Sequence, residues 1–154
     1  MVVLKVGDQA PAIDAVDQDG QRITLEDYKG RKVVLYFYPK DNTSGCTAEA
    51  CDLRDHYSQF TGQGFEVIGV SADSEQSHRK FIKKHKLPFR LISDVDRKVL
   101  QDYGAWGEKK LYGKSYLGVH RKTFIISGDG TIERIIEKVN TKDHTKQIFE
   151  ELSH

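Results

Sequence analysis

The run Lys32 to Tyr38 (KVVLYFY) constrains the fold more than any other segment. It is continuous, β-branched and aromatic, with Gly30 before it and Pro39 after it. A strand with one solvated face alternates apolar and polar residues, whereas a strand covered on both faces reads as an unbroken apolar run. Lys32 to Tyr38 is therefore expected to be a central strand, and other segments must cover each of its faces. Phe65 to Ser71 (FEVIGVS) is a second strand of the same kind. Between the two lies a polar loop, Pro39 to Gly45, then a stretch of helix formers from Cys46 to Phe60 that Gly62 and Gly64 end.

Downstream, Ser74 is expected to cap a helix from about Glu75 to Lys86, with Phe81 and Ile82 facing inward and Pro88 beyond its end. Leu91 and Ile92 make a short strand, and Asp94 or Asp96 caps a short helix running through Tyr103. Residues 104–120 read as a glycine-punctuated loop. Lys122 to Ser127 and Thr131 to Val139 form a hairpin around Gly128–Asp129–Gly130, and a last helix covers about Lys142 to Leu152. Near the N-terminus, Asp17 to Gly20 is a turn followed by a short strand at Arg22 to Leu25. This order implies one α/β domain over residues 1–154, a central mixed β-sheet flanked by helices. That is the thioredoxin-like layout, although periodicity alone does not separate it from other α/β folds of this size.

Charge narrows the function classes. Lys and Arg total 24 against 23 Asp and Glu, a formal net charge of +1, which argues against a dedicated nucleic-acid binder. The basic stretch Arg79 to Lys86 reads as the solvated face of an amphipathic helix. No apolar run approaches the ~20 residues of a membrane span, and the first residues resemble no export signal. The expectation is a soluble cytoplasmic protein with no membrane or nucleic-acid partner.

The two cysteines, Cys46 and Cys51, are too few for a disulfide scaffold. Cys46 falls at the first turn of the helix that follows the central strand. Unpaired N–H groups and the helix dipole stabilise negative charge there, and so the thiolate, which is the nucleophilic form of sulfur. Thr43 places a hydroxyl three residues upstream, and Pro39 ends the strand without an N–H and can shield the sulfur. A lone cysteine is more often an inert core residue. Cys51 changes the weighing without deciding it. Positions i and i+5 of a regular helix have Cα atoms about 8.7 Å apart, whereas a disulfide needs about 4.4–6.8 Å. The pair is either two unrelated core cysteines or a redox couple whose oxidation unwinds at least a turn. Cys46, Cys51 and His56 lie around the helix rather than on one face, and no four-ligand zinc set is apparent. A thiolate site for Cu(I) is the weaker alternative.

Pro39-x3-Thr43-x2-Cys46 matches the peroxiredoxin signature, and Lys40 to Cys51 (KDNTSGCTAEAC) resembles the bacterioferritin comigratory protein, or Q-type, branch of that family. The likeness continues at Gly7-Asp8-x-Ala10-Pro11, at Tyr103 to Lys110 (YGAWGEKK) and at His120 to Ile126 (HRKTFII). The resemblance implies a thiol peroxidase with an atypical two-cysteine mechanism. It makes Cys46 the peroxidatic cysteine and Cys51 the resolving cysteine. Thr43, Gly45, Cys46 and Arg121 would bind the peroxide, Pro39 would shield the sulfur, and Glu49 would orient Arg121. It implies no metal or other cofactor, a peroxide substrate, a thioredoxin-like or glutaredoxin-like reductant, and a monomer. A non-enzymatic thiol or metal binder and a redox-dependent chaperone or sensor are the competing classes.

The remaining histidines (His78, His85, His120, His144 and His154) are expected at the surface, with His120 a weak candidate for contact with the site through Arg121. Lys109, Lys110 and Lys114 could steer an anionic partner, and Trp106 and Tyr112 could line an alkyl site or anchor a loop in the core.

Overall fold

The computed structural model describes residues 3–153. Its elements in chain order are β1 (Asp14–Val16), β2 (Arg22–Thr24), β3 (Lys32–Phe37), α1 (Ser44–Asp55), α2 (Tyr57–Gly62), β4 (Phe65–Ser71), α3 (Glu75–His85), β5 (Arg90–Ser93), α4 (Lys98–Asp102), β6 (Trp106–Leu111), β7 (Lys114–Val119), β8 (Lys122–Ile126), β9 (Ile132–Ile136) and α5 (His144–Leu152). A single 3-10 turn, Leu25–Tyr28, joins β2 to β3.

β3 lies at the centre of a five-stranded sheet of order β5-β4-β3-β8-β9. It pairs in parallel with β4 and antiparallel with β8, so the sheet is mixed. The period of two divides its side chains between two cores. Val33, Leu35 and Phe37 pack with Val99, Leu100 and Tyr103 around α4 and with Ile13, Ile23 and Tyr28 of the N-terminal segment. Val34, Tyr36 and Tyr38 pack on the other face with Cys46, Ala50 and Leu53 of α1, Phe60 of α2, Phe81 of α3 and Ile148 of α5. No residue from Val33 to Tyr38 exposes more than 1% of its surface, as the unbroken apolar run requires. This is the expected thioredoxin-like architecture, with helices on both faces but most of them on one.

Two expectations change. Residues 104–120 are not a loop. β6 and β7 form an antiparallel hairpin separate from the main sheet, closed by Tyr112 and Gly113, both at positive φ. Two successive positive-φ residues make the tight turn whose twist suits paired strands. The helix expected from Cys46 to Phe60 breaks at His56, where φ is −113° and ψ is 13°. The His56 ring bonds the Asp52 carbonyl at 2.8 Å, satisfying an acceptor that the end of α1 leaves open. No helix among the described residues is long and apolar enough to cross a membrane.

Candidate active site

The end of β3 leads directly into the site. Pro39 is half-buried, Asn42 turns the chain at a φ of 65°, and Thr43 is the N-cap residue of α1. Asp41 anchors this loop. Its carboxylate accepts from Tyr38 Oη at 2.7 Å and Ser77 Oγ at 2.8 Å and meets His78 Nδ1 at 2.7 Å, while its own N–H donates to Asp73 Oδ2 at 2.8 Å. His78 Nε2 meets the Ile92 carbonyl at 3.0 Å. Each ring nitrogen thus has an oxygen within hydrogen-bond distance. Asp41, Asp73 and His78 bring ligand-type atoms within 4.8 Å of one another, yet these atoms are already committed to hydrogen bonds. The cluster is a brace between α3 and the loop. The expectation of a surface His78 is thus corrected, because its ring is fully buried with partners on both sides.

Cys46 is the third residue of α1 and only 1% exposed. The first turn carries no acidic side chain, so the positive end of the helix dipole is left for the sulfur. Phe37 pairs with Lys122, which sets Arg121 at the end of β8 beside the loop. Arg121 Nη2 donates to Cys46 Sγ at 3.4 Å and Nη1 donates to Glu49 Oε1 at 2.8 Å. Glu49, one turn after Cys46, is fully buried. A Cβ on Gly45 would lie 3.3 Å from Arg121 Nη2, so a side chain there would press on the guanidinium. Thr43 Oγ1 donates to the Lys40 carbonyl at 2.9 Å, leaving its lone pairs free. The structure therefore brings together Cys46, Glu49, Arg121 and Gly45, with Thr43 and Pro39 on the adjoining loop.

Beneath Glu49 lies a layer that the sequence did not disclose. Among the described residues Glu49 Oε2 has no hydrogen-bond partner, and it faces His144 Nε2 at 3.5 Å. Gln147 is oriented by donating to the Lys138 carbonyl at 2.7 Å and accepting from Asn140 N–H at 2.8 Å. Its oxygen then accepts from His144 Nδ1 at 2.9 Å, so Nε2 of the neutral ring accepts from the Thr123 hydroxyl at 2.8 Å. His144 was expected at the surface and is instead fully buried. His154 lies outside the described residues. His120 turns its Nε2 to the Glu108 carbonyl at 3.1 Å rather than toward Cys46. Tyr112 is 95% exposed at the hairpin tip, and Trp106 stacks under Arg97, so neither lines the sulfur. Arg121 also borders an open depression of about 520 Å³ flanked by Lys109, Lys122 and Lys138.

Burial pushes the Glu49 carboxyl up to about 7 from an ordinary 4.5, against the pull of Arg121. Burial likewise pushes His144 down to about 4 from 6.5. The two act oppositely on stability. Folded Glu49 holds its proton more tightly than the unfolded chain does, so its contribution is present below pH 4.5 and is lost as pH rises to 7. The contribution of His144 is present above pH 6.5 and is lost as pH falls to 4. The stability of Glu49→Gln relative to the native chain is therefore expected to rise between pH 4.5 and 7, by about 3 kcal/mol in all. Urea unfolding at stepped pH measures it. A pH-independent difference would show that Glu49 does not hold a raised proton.

Cys51 is half-buried on the same helix, and both thiols are free. The unbroken helix from Ser44 to Asp55 keeps them at helical spacing, too far apart to bond. Cys51 Sγ lies 3.8 Å from His85 Nδ1, a contact that the reading of His85 as a surface residue missed.

The profile of the AhpC/TSA family matches residues 6–135. A protein of Haemophilus influenzae named putative peroxiredoxin bcp is 44% identical over 149 residues, covering 97% of this chain and 96% of that one. The crystal structure of PrxQ from Xylella fastidiosa superposes with a TM-score of 0.91 at 30% identity, covering 99% of this chain and 98% of that one. The bacterioferritin comigratory protein of Xanthomonas campestris, described for its alkyl peroxide reduction activity, gives 0.85 at 34% identity, over 92% and 90% of the two chains. Sequence and fold agree over nearly the whole length, and the chain belongs to the AhpC/TSA family as a thiol peroxidase, a peroxiredoxin of the Bcp or Q type.

Proposed function

We propose that this chain reduces hydrogen peroxide and small organic hydroperoxides through a sulfenic acid on Cys46 and an intramolecular Cys46–Cys51 disulfide. The observation that carries this reading is Arg121 Nη2 at 3.4 Å from Cys46 Sγ, at the N-terminus of a helix with no acidic residue in its first turn. The sulfur attacks one peroxide oxygen, the O–O bond breaks, and charge develops on the leaving oxygen. Arg121 and the N–H groups at Gly45 and Cys46 are the donors placed to stabilise it, while the Thr43 hydroxyl, whose proton goes to the Lys40 carbonyl, offers a lone pair to the O–H of the incoming peroxide. Glu49 holds Arg121 in position, and Pro39 limits water at the sulfur. The alkyl peroxide activity described for the Xanthomonas relative supports the organic substrate.

Cys51 then condenses with the sulfenic acid, releasing water, and an external dithiol protein of thioredoxin or glutaredoxin type reduces the bridge by exchange. Electrons pass through sulfur alone, so the scheme calls for no cofactor. Both thiols lie on one helix, so one chain completes the cycle and the protein can act as a monomer. Cys51→Ser is expected to consume about one equivalent of peroxide and then stop when a dithiol protein is the donor. Intact mass should show a loss of about two units in the native chain and a gain of about sixteen in the variant. Undiminished donor-linked turnover by Cys51→Ser would remove Cys51 from the cycle.

A further inference from the structure

Cys51 stands on the half of α1 that is tied down. Arg54 Nη1 donates to the His85 carbonyl at 2.8 Å, and Asp52 Oδ2 accepts from Thr145 N–H at 2.7 Å. These bonds fasten the C-terminal turn of α1 to α3 and to α5. The N-terminal half is held differently, by the Arg121 contacts of Cys46 and Glu49 and by apolar packing of Ala50. A bridge requires the Cα atoms to approach from about 8.7 Å to at most about 6.8 Å. With the C-terminal turn so fastened, a bridge formed by unwinding the turn that carries Cys46 leaves Cys51 in place.

Where Cys51 stays, it meets His85. Its Sγ is 3.8 Å from Nδ1, and the ring is fixed edge-on against Phe81, with centroids 5.2 Å apart and planes at 74°. Lys84 on α3 and Arg54 on α1 are the charged groups facing the imidazole. With burial, they disfavour its protonated form. A neutral ring accepts the thiol proton through Nδ1.

We propose that His85 is the proton acceptor for Cys51 in the resolving step. The inference rests on the reading that Cys51 is the resolving cysteine. Cys51 Sγ attacks Cys46 Sγ, the S–S bond forms, and the S–O bond of the sulfenic acid breaks. The Cys51 sulfur is oxidised and the Cys46 sulfur is reduced. The Cys51 proton passes to His85 Nδ1, and the imidazolium returns it through solvent to the departing hydroxide, which leaves as water and restores the neutral ring. Before oxidation the same contact pairs Cys51 Sγ with His85 Nδ1. Cys46, facing Arg121, is then the sulfur that meets peroxide.

The test is rapid mixing of the reduced protein with one equivalent of hydrogen peroxide, followed by acid quench and intact mass. In His85→Ala, bridge formation is expected to slow on the order of a hundredfold, with the sulfenic acid accumulating. Added imidazole should restore the rate in proportion to its neutral form across pH, a response that a merely structural role for His85 would not give. His85→Gln, which keeps a polar side chain without a titrating nitrogen, should behave as His85→Ala does. Native bridge rates in both variants, or a slow rate that imidazole leaves untouched at every pH, would overturn the inference while the Cys46–Cys51 bridge itself stands. Absence of that bridge in the native chain would overturn the parent reading and this inference with it.

Discussion

Cys46→Ser should lower peroxide turnover by more than about a thousandfold, the scale seen when a nucleophile is removed from an otherwise intact site. The serine hydroxyl ionises far less readily than a thiol and is a poor nucleophile toward an O–O bond. The substitution changes little else. Cys46 is buried against Ala50 and Leu53, and a slightly smaller side chain fits the same space. Arg121 Nη2 can donate to the new oxygen as it does to the sulfur. A peroxide-consumption assay on variant protein with a native circular dichroism spectrum is the measurement. Turnover surviving in that protein would show that another group performs the chemistry.

The second large effect belongs to Arg121. Its two terminal nitrogens divide between Cys46 Sγ and Glu49, so one planar fork brings a positive charge to the sulfur and fixes its own direction together. Arg121→Met should reduce the second-order rate with peroxide by about a hundred- to a thousandfold, the usual cost of losing one preorganised donor. It also leaves Glu49 buried without its cation. An unpaired buried charge costs about 3–5 kcal/mol, and Glu49 meets part of that by keeping its proton to higher pH. The double variant Arg121→Met with Glu49→Gln should therefore recover stability and no rate. Stopped-flow mixing with peroxide and urea unfolding on the same samples separate the two quantities. Arg121→Lys should not rescue, because a compact ammonium cannot reach both partners at once. Recovery of rate in the double variant would mean that Arg121 serves packing alone.

The central strand was readable because burial on both faces leaves a plain trace, an apolar run with glycine and proline at its ends. The β6–β7 hairpin left no such trace. Most of its residues are exposed or half-exposed, so apolar and polar positions do not alternate, and its turn uses Tyr112 where asparagine or aspartate is the usual signal. The break at His56 carries neither glycine nor proline and looks like continuous helix. At the site, the helix start made Cys46 conspicuous by local chemistry. Arg121 lies 75 residues away, and only the resemblance pointed to it. His78 and His144 were misplaced for one physical reason. A buried imidazole is acceptable when its nitrogens find partners, and those partners, Asp41 and Thr123, come from other elements. Spacing along one chain does not report such meetings.

The interruption at His56 sets how far a disturbance can spread. Residues 44–62 as a single rod would melt or hold as one cooperative length. Cut at His56, α1 has 12 residues, short enough to be marginal without its neighbours. The cut behaves like a firebreak. Coil spreading from Ser44 meets a point where the helical ladder is already interrupted, and α2, seated by Phe60 in the core, keeps its own structure. Under the proposed cycle, the unwinding that a Cys46–Cys51 bridge requires would be confined to one short segment. That segment would then refold from the end that Asp52 and Arg54 fasten once such a bridge is reduced.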